Sequence, residues 1–122
     1  MDNADIGGSI GSVAVGLPRS FAVRNDIAAA WGGETPRPHL ARLCAAAVGV
    51  CCAIEGIPKY KINTGDPIGY GAAVFDFLLE RGVTPATIYA IGPALITKIA
   101  ASFPTEAGAI ETADFSEAPA DG

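Results

Sequence analysis

The stretch PHLARLCAAAVGVCCAI, residues 38–54, decides the fold of this chain. Wound as a helix, it places its larger apolar residues on one face and small, uncharged residues on the other. The first face carries Leu40, Leu43, Cys44, Ala47, Val48 and Cys51, and the second carries Ala45, Ala46, Gly49, Cys52 and Ala53. Because a helix that is apolar or small all round is normally buried, we predict a central helix with neighbours packed on both sides.

Capping residues and prolines mark the ends of the other helices. Ser20 is a suitable N-cap for a first helix that ends at Gly32 and Gly33. Asp66–Pro67 and Thr84–Pro85 each combine a capping side chain with a proline at the first helical position, so each predicts the start of a helix.

Apolar residues recur at helical spacing in each of these segments. The stripes are Val23, Ile27, Ala30 and Trp31; Tyr70, Val74, Phe77 and Leu78; and Ile88, Ile91, Leu95, Ile99 and Phe103. Gly82 is expected to adopt the left-handed conformation that ends the helix before it. Pro93 interrupts the last segment, which is therefore expected to form two short helices or one kinked helix.

Short alternations of apolar residues predict a minor β element. Val13, Val15 and Leu17 alternate with small residues and predict one short strand, and residues 59–62 show a second alternation that could pair with it. The remainder of residues 1–12 is rich in Gly, Ser and Asp and is expected to be mobile unless a partner orders it.

These features predict a mainly α fold: a compact bundle of four to five short helices in residues 18–104, with a minor two-stranded β element. The predicted division adds an N-terminal arm at residues 1–17 and an acidic flexible tail at residues 105–122, named here the acidic segment. No apolar run approaches the roughly 20 residues of a membrane-spanning helix, and the start lacks the pattern of a secretory signal. We therefore expect a soluble protein without a membrane partner.

The charge of this chain is concentrated at its C-terminal end. Residues 1–105 contain eight acids and eight bases, whereas residues 106–122 contain five acids and no base. The neutral body argues against nucleic acid as a partner, and the acidic segment is expected to aid solubility or to interact with another protein.

The residues that could support chemistry do not form a recognisable site. The three cysteines lie in the central segment; Cys44 and Cys51 are about 10.5 Å apart along a helix axis, too far for a disulfide, so free thiols are expected.

His39 is the single histidine and is expected to face solvent or to cap the central helix. Asp76 and Glu80 share a helix face but have no third acid nearby, which indicates a solvated face. We expect no catalytic, cofactor-binding or metal-binding residues.

Glycine-rich stretches also fail to match nucleotide-binding loops. GSIGS and GDPIGYG contain neither the P-loop pattern nor the dinucleotide-binding pattern. The glycines in GDPIGYG instead predict a close approach of another segment to the first turns of the helix that Asp66 caps.

The order of RSFAVRNDIAAAW, RLCAAAVGVC, YGAAVFDFLLERGV and ATIYAIGPALI, within about residues 18–100, resembles small proteins encoded among the tail genes of long-tailed bacteriophages. It resembles in particular the tail-assembly-chaperone-like proteins among them. This resemblance implies a non-catalytic role in the host cytoplasm, in which the protein binds tail or tape-measure proteins and prevents aggregation of their apolar surfaces.

We therefore expect a non-enzymatic phage tail assembly or accessory protein that binds other tail proteins through an apolar helical surface. Two alternatives stay open: a tail or connector subunit retained in the virion, and a small-molecule binder or small enzyme. A homo-oligomer is also left open. The candidate partner-binding residues are Trp31, Tyr60, Tyr70 and Tyr89, which could equally belong to the core, and Phe115, which is either a docking anchor or a solvent-exposed aromatic residue of the tail.

Overall fold

A β-hairpin precedes four helices in the computed structural model, which describes residues 2–33, 39–57 and 65–103. The elements are β1 (Asp2–Gly7), β2 (Gly11–Val15), α1 (Phe21–Gly32), α2 (Leu40–Cys51), α3 (Pro67–Glu80) and α4 (Pro85–Ala101). The predicted mainly α fold with a two-stranded element is confirmed. Predictions that concern the strand at residues 59–62, Tyr60, Phe115 and the acidic segment lie outside the described residues.

Helix α2 is the central helix that the sequence predicts. Its residues from Leu43 to Gly49 are all buried. Helix α3 contacts α2 through Gly71, and α4 contacts it through Gly92; a side chain at either glycine would overlap α2. Small residues therefore let two neighbouring helices approach α2 closely.

The predicted capping residues set the starts of α1, α3 and α4. The Ser20 hydroxyl accepts a hydrogen bond from the Val23 amide at 3.3 Å, and the Asp66 carboxylate accepts one from the Gly69 amide at 2.9 Å. The Thr84 hydroxyl accepts from the amide of Thr87 at 3.3 Å. Each cap satisfies one of the amides that the first helical turn leaves without a partner.

Helix α4 is a single helix that continues through Pro93. Of the two alternatives drawn from the sequence, two separate short helices is therefore wrong. Proline removes one backbone hydrogen bond, but Leu95, Ile96 and Ile99 are buried beyond it, and their burial holds the second half of the helix in place. Ile96 is a core residue that the predicted stripe did not include.

The N-terminal arm contains a strand that the sequence did not predict. Strand β1 pairs with β2 in antiparallel register, from Asp2 opposite Val15 to Gly7 opposite Gly11. Ile6 of β1 is 1% exposed, and this burial fixes the hairpin on the helices. The predicted strand at Val13 and Val15 is present, but its partner lies before it in the chain.

Both ends of the hairpin are attached to the helical bundle. At the end of the hairpin opposite its turn, Val15 forms an antiparallel β-bridge with Cys52, and the Ala53 amide donates a hydrogen bond to the Ala14 carbonyl oxygen at 2.9 Å. At the turn, the amide of Ser9 donates to the Arg81 carbonyl oxygen at 2.6 Å. The hairpin thus joins the end of α2 to the turn between α3 and α4.

Candidate protein-binding surface

One flank of α1 carries large side chains that the core does not cover. Phe21, Arg24, Ala28 and Trp31 recur at intervals of three, four and three residues, which places them in one stripe along the helix. Val23 and Ile27 are the buried residues of this helix. Phe21 is 60% exposed and Trp31 is 38% exposed.

The end of α4 extends this stripe. The rings of Phe21 and Phe103 meet edge to face, with centroids 5.1 Å apart and an interplanar angle of 88°. Phe103 is partly buried and packs against the core, so it supports the more exposed ring of Phe21. We name the α1 stripe together with Phe103 the α1 aromatic surface.

Arg24 places a cation within this surface. Its guanidinium carbon lies 5.9 Å from the centroid of the Phe21 ring and 5.8 Å from that of Phe103, which is within reach of a cation–π interaction. Arg24 Nη1 donates to the Ser102 hydroxyl at 3.2 Å, and that hydroxyl donates to the Ile99 carbonyl oxygen at 2.6 Å. The surface therefore combines two aromatic rings with an oriented guanidinium.

The aromatic residues that the sequence suggested as partner-binding candidates lie in different parts of the structure. Trp31 belongs to the α1 aromatic surface. Tyr89 is 43% exposed, but it precedes Phe103 by fourteen residues of α4 and its flanking turn, or about 21 Å along a helix axis. Tyr70 is 2% exposed and is a core residue.

Two members of the surface, Phe21 and Arg24, were not selected from the sequence. Phe21 was overlooked because it immediately follows the capping Ser20 and lies outside the buried stripe. Arg24 likewise lies outside that stripe. The spacing from Phe21 to Trp31 was the available signal, but the contribution of Phe103 depends on how α4 packs against α1.

The cysteines are buried free thiols, as predicted. Burial raises the pKa of Cys51 to about 12, with a smaller increase from the neighbouring Cys52 and a partial decrease from Lys98. Burial likewise raises the pKa of Cys44 and of Cys52 to about 11. Because the thiolate is the reactive form of cysteine, these groups are poor nucleophiles at neutral pH.

The other candidate polar residues are dispersed. His39 occupies the N-cap position of α2 but makes no capping hydrogen bond with its side chain. Asp76 and Glu80 are exposed on α3, as predicted. Within residues 2–33, 39–57 and 65–103, no group of three or more His, Cys, Asp or Glu side chains could hold a metal ion.

A small cavity of about 10 Å³ lies beside Tyr70 between α1, α2 and α3. Its lining includes Asp26 and is otherwise apolar, apart from the tyrosine. The Tyr70 hydroxyl is buried and has no hydrogen-bond partner among the residues that the structure describes. This volume holds about one water molecule, so it is too small for an organic substrate.

A larger depression of about 330 Å³ lies between α2 and α3. Its lining consists of Ala41, Arg42, Ala72, Phe75 and Asp76. Arg42 and Asp76 are both exposed, and their opposite charges do not form a convergent site for one kind of ligand. The α1 aromatic surface is therefore the better candidate for a functional site.

None of the helices in the described part of the chain is long and apolar enough to cross a membrane. Comparison of the chain with protein-family models, with curated proteins and with solved structures finds no match.

Proposed function

We propose that this protein is a non-enzymatic accessory protein of phage tail assembly, which binds other tail proteins through the α1 aromatic surface. The observation that carries the proposal is the exposure of Phe21 and Trp31, 60% and 38%, on a helix whose other side packs into the core. Large apolar side chains that share one surface of a small protein mark a site of interaction.

The composition of the surface fits protein binding. Trp, Phe and Arg are enriched in protein interfaces, and Trp and Arg recur among the residues that contribute most to affinity. Burying one exposed Phe or Trp side chain contributes roughly 1.5–3 kcal/mol from apolar area alone. Ser102 and the two Phe rings orient Arg24, so little side-chain freedom remains for it to lose on binding.

The biological setting rests on the resemblance of residues 18–100 to proteins encoded among phage tail genes. In that setting the partner is a tail or tape-measure protein, and the site of action is the host cytoplasm. An exposed apolar surface backed by a rigid helical bundle suits a protein that covers the apolar segments of an unassembled partner.

The experiment is quantitative mass spectrometry of purified particles and of infected-cell lysate from the phage that encodes this chain. We expect the protein in the lysate, co-purifying with a tail or tape-measure protein of the same phage, and not in the particle. Fixed stoichiometry in the particle would instead identify the alternative, a structural tail or connector subunit.

A further inference from the structure

The α1 aromatic surface has the chemistry to recognise an aromatic residue flanked by carboxylates. The rings of Phe21 and Phe103 offer an apolar contact, and Arg24 between them offers a cation. Arg19 is exposed just before the start of α1. The acidic residue of α1, Asp26, lines the cavity beside Tyr70, away from this surface. The two arginines near this surface therefore favour the binding of a negatively charged segment.

The start of α1 adds to this preference. The first turn of the helix contains no acidic residue, so the positive end of its dipole is not compensated by a side chain of that turn. Phe21 is the first residue of α1 and Arg24 follows one turn later. A carboxylate near these two residues would interact with both the guanidinium and the helix terminus.

The chain itself contains a segment of matching chemistry. The acidic segment, residues 105–122, has five acids, no base and a single aromatic residue, Phe115. Glu111, Asp114 and Glu117 flank that aromatic residue closely in sequence. The acidic segment follows almost directly after Phe103, which is itself part of the surface.

The length of chain between Phe103 and Phe115 suits an intramolecular contact. Phe115 follows Phe103 by twelve residues, and a random coil of that length would span about 20 Å on average. The α1 stripe from Phe21 to Trp31 is about 15 Å long, at the helical rise of ten residues. A segment attached at one end of the surface experiences an effective concentration on the order of millimolar, so that even weak contacts are populated.

We infer that the acidic segment docks on the α1 aromatic surface of its own chain, with Phe115 against the rings of Phe21 and Phe103 and its flanking carboxylates near Arg24. This docking does not depend on the proposed function.

The test is paramagnetic relaxation in the full chain without any partner. The native cysteines are buried, so the exchange Ser116→Cys provides one accessible site for a nitroxide label beside Phe115. We expect the amide signals of Phe21, Arg24 and Ala28 to broaden, and those of Asp76 and Glu80 on α3 to remain sharp. Phe21 and Arg24 lie beside the chain exit at Phe103, so broadening at α1 that Phe115→Ala leaves unchanged, or broadening spread evenly over the domain, would overturn the inference.

Matched variants of the labelled chain identify the contact. Phe115→Ala should reduce the relaxation enhancement at α1 at least fivefold, whereas Ile110→Ala, which removes another apolar residue of the acidic segment, should leave most of it. Arg24→Gln and 0.5 M salt should each reduce it severalfold, because both weaken the attraction between charges. Equal losses with Phe115→Ala and Ile110→Ala would contradict a specific aromatic contact.

Mixing experiments decide whether one chain or two are involved. Isotope-labelled chains without the nitroxide are mixed with nitroxide-bearing chains without isotope. We expect no broadening in this mixture; broadening at α1 would show docking between two copies and overturn the intramolecular contact. These measurements contain no partner protein. A negative result would therefore overturn the docking of the acidic segment but would not test the binding of tail proteins, which the mass-spectrometry experiment tests separately.

Discussion

Gly71 of α3 lies against the backbone of Arg42 in α2 so closely that a methyl group on the glycine would overlap the arginine carbonyl oxygen. Gly92 of α4 lies equally close to Cys44, on another part of α2, where an added carbon would overlap the Cβ and Cα atoms of the cysteine. Backbone atoms cannot yield as the end of a flexible side chain can. The separation of α2 from its two neighbours is therefore fixed by the absence of these two side chains.

Replacing either glycine should destabilise the fold. Gly71→Ala is expected to lower the free energy of unfolding by about 3 kcal/mol or more, since overpacking against backbone forces helices apart. Gly92→Ala should act in the same direction. Urea unfolding monitored by circular dichroism measures both.

Gly32→Ala is the matched control, because no atom of the described residues lies within 4 Å of the position of its added carbon. This exchange should leave stability within about 1 kcal/mol of the parent chain. A loss at Gly71→Ala no larger than that of the control would contradict the close packing of α2 and α3.

The turn of the hairpin depends on a second close approach. Gly8 has a φ of +60°, and a side chain there would lie 2.5 Å from the Arg81 carbonyl oxygen. Gly7 has a φ of +79° but open space around it. We expect Gly7→Ala to cost about 1–2 kcal/mol from backbone conformation alone, and Gly8→Ala to cost clearly more. Equal losses of unfolding free energy for the two exchanges would indicate that the hairpin turn does not contact the turn between α3 and α4.

The α1 aromatic surface yields a prediction for partner binding. Phe21→Ala and Trp31→Ala should each weaken the affinity for the partner tail protein at least tenfold, the effect of losing about 1.4 kcal/mol. Both side chains are substantially exposed, so the free energy of unfolding should change little. Isothermal titration calorimetry with the purified partner, identified from the lysate, measures the affinity.

Leu79→Ala provides the control for this series. Leu79 is 40% exposed, similar to Trp31, but lies on α3 rather than on the proposed surface. Its replacement should leave affinity within about twofold. If Leu79→Ala weakened binding as much as Phe21→Ala, the partner would occupy a different or much larger surface.

The helical part of the fold could be predicted because its signals are local. Ser20, Asp66 and Thr84 each cap the helix that follows, and the small residues of α2 indicate close packing on both sides. The hairpin was missed because Asn3 and Asp5 have low strand propensity, although Ala4 and Ile6 alternate with them toward the core. Its position depends on contacts with the turn after α3, which the sequence of the hairpin does not reveal.

The candidate surface was only partly predictable for a similar reason. Trp31 was selected as an aromatic residue of unknown placement, and the spacing to Phe21 could have extended the stripe. The pairing of Phe103 with Phe21 joins residues from opposite ends of the described chain, so it requires the packing of α4 on α1. Tyr70 could be assigned to the core only once its exposure was known.

Buried thiols predict how stability depends on alkaline pH. The pKa of the three cysteines rises from 9.0 to about 11 or 12 on folding, and burial raises that of Tyr70 from 10.0 to about 12. Above pH 9 the unfolded chain loses protons that the folded chain retains, so the unfolded state binds fewer protons and stability falls as pH rises. At about pH 8 and below, these groups are almost fully protonated in both states and contribute little pH dependence.

Urea unfolding at intervals between about pH 7 and pH 11 should therefore show a nearly constant free energy up to about pH 8 and a progressive loss above it. Each group that titrates only in the unfolded state contributes up to about 1.4 kcal/mol per pH unit.

Tyr70→Phe removes one such group while retaining its ring, and it also removes a buried hydroxyl without a partner among the described residues. This variant should be at least as stable as the parent at pH 8 and should lose stability less steeply above pH 10. A parent chain whose stability stayed constant to pH 11 would show that the thiols and the phenol ionise in the folded state as readily as in the unfolded state.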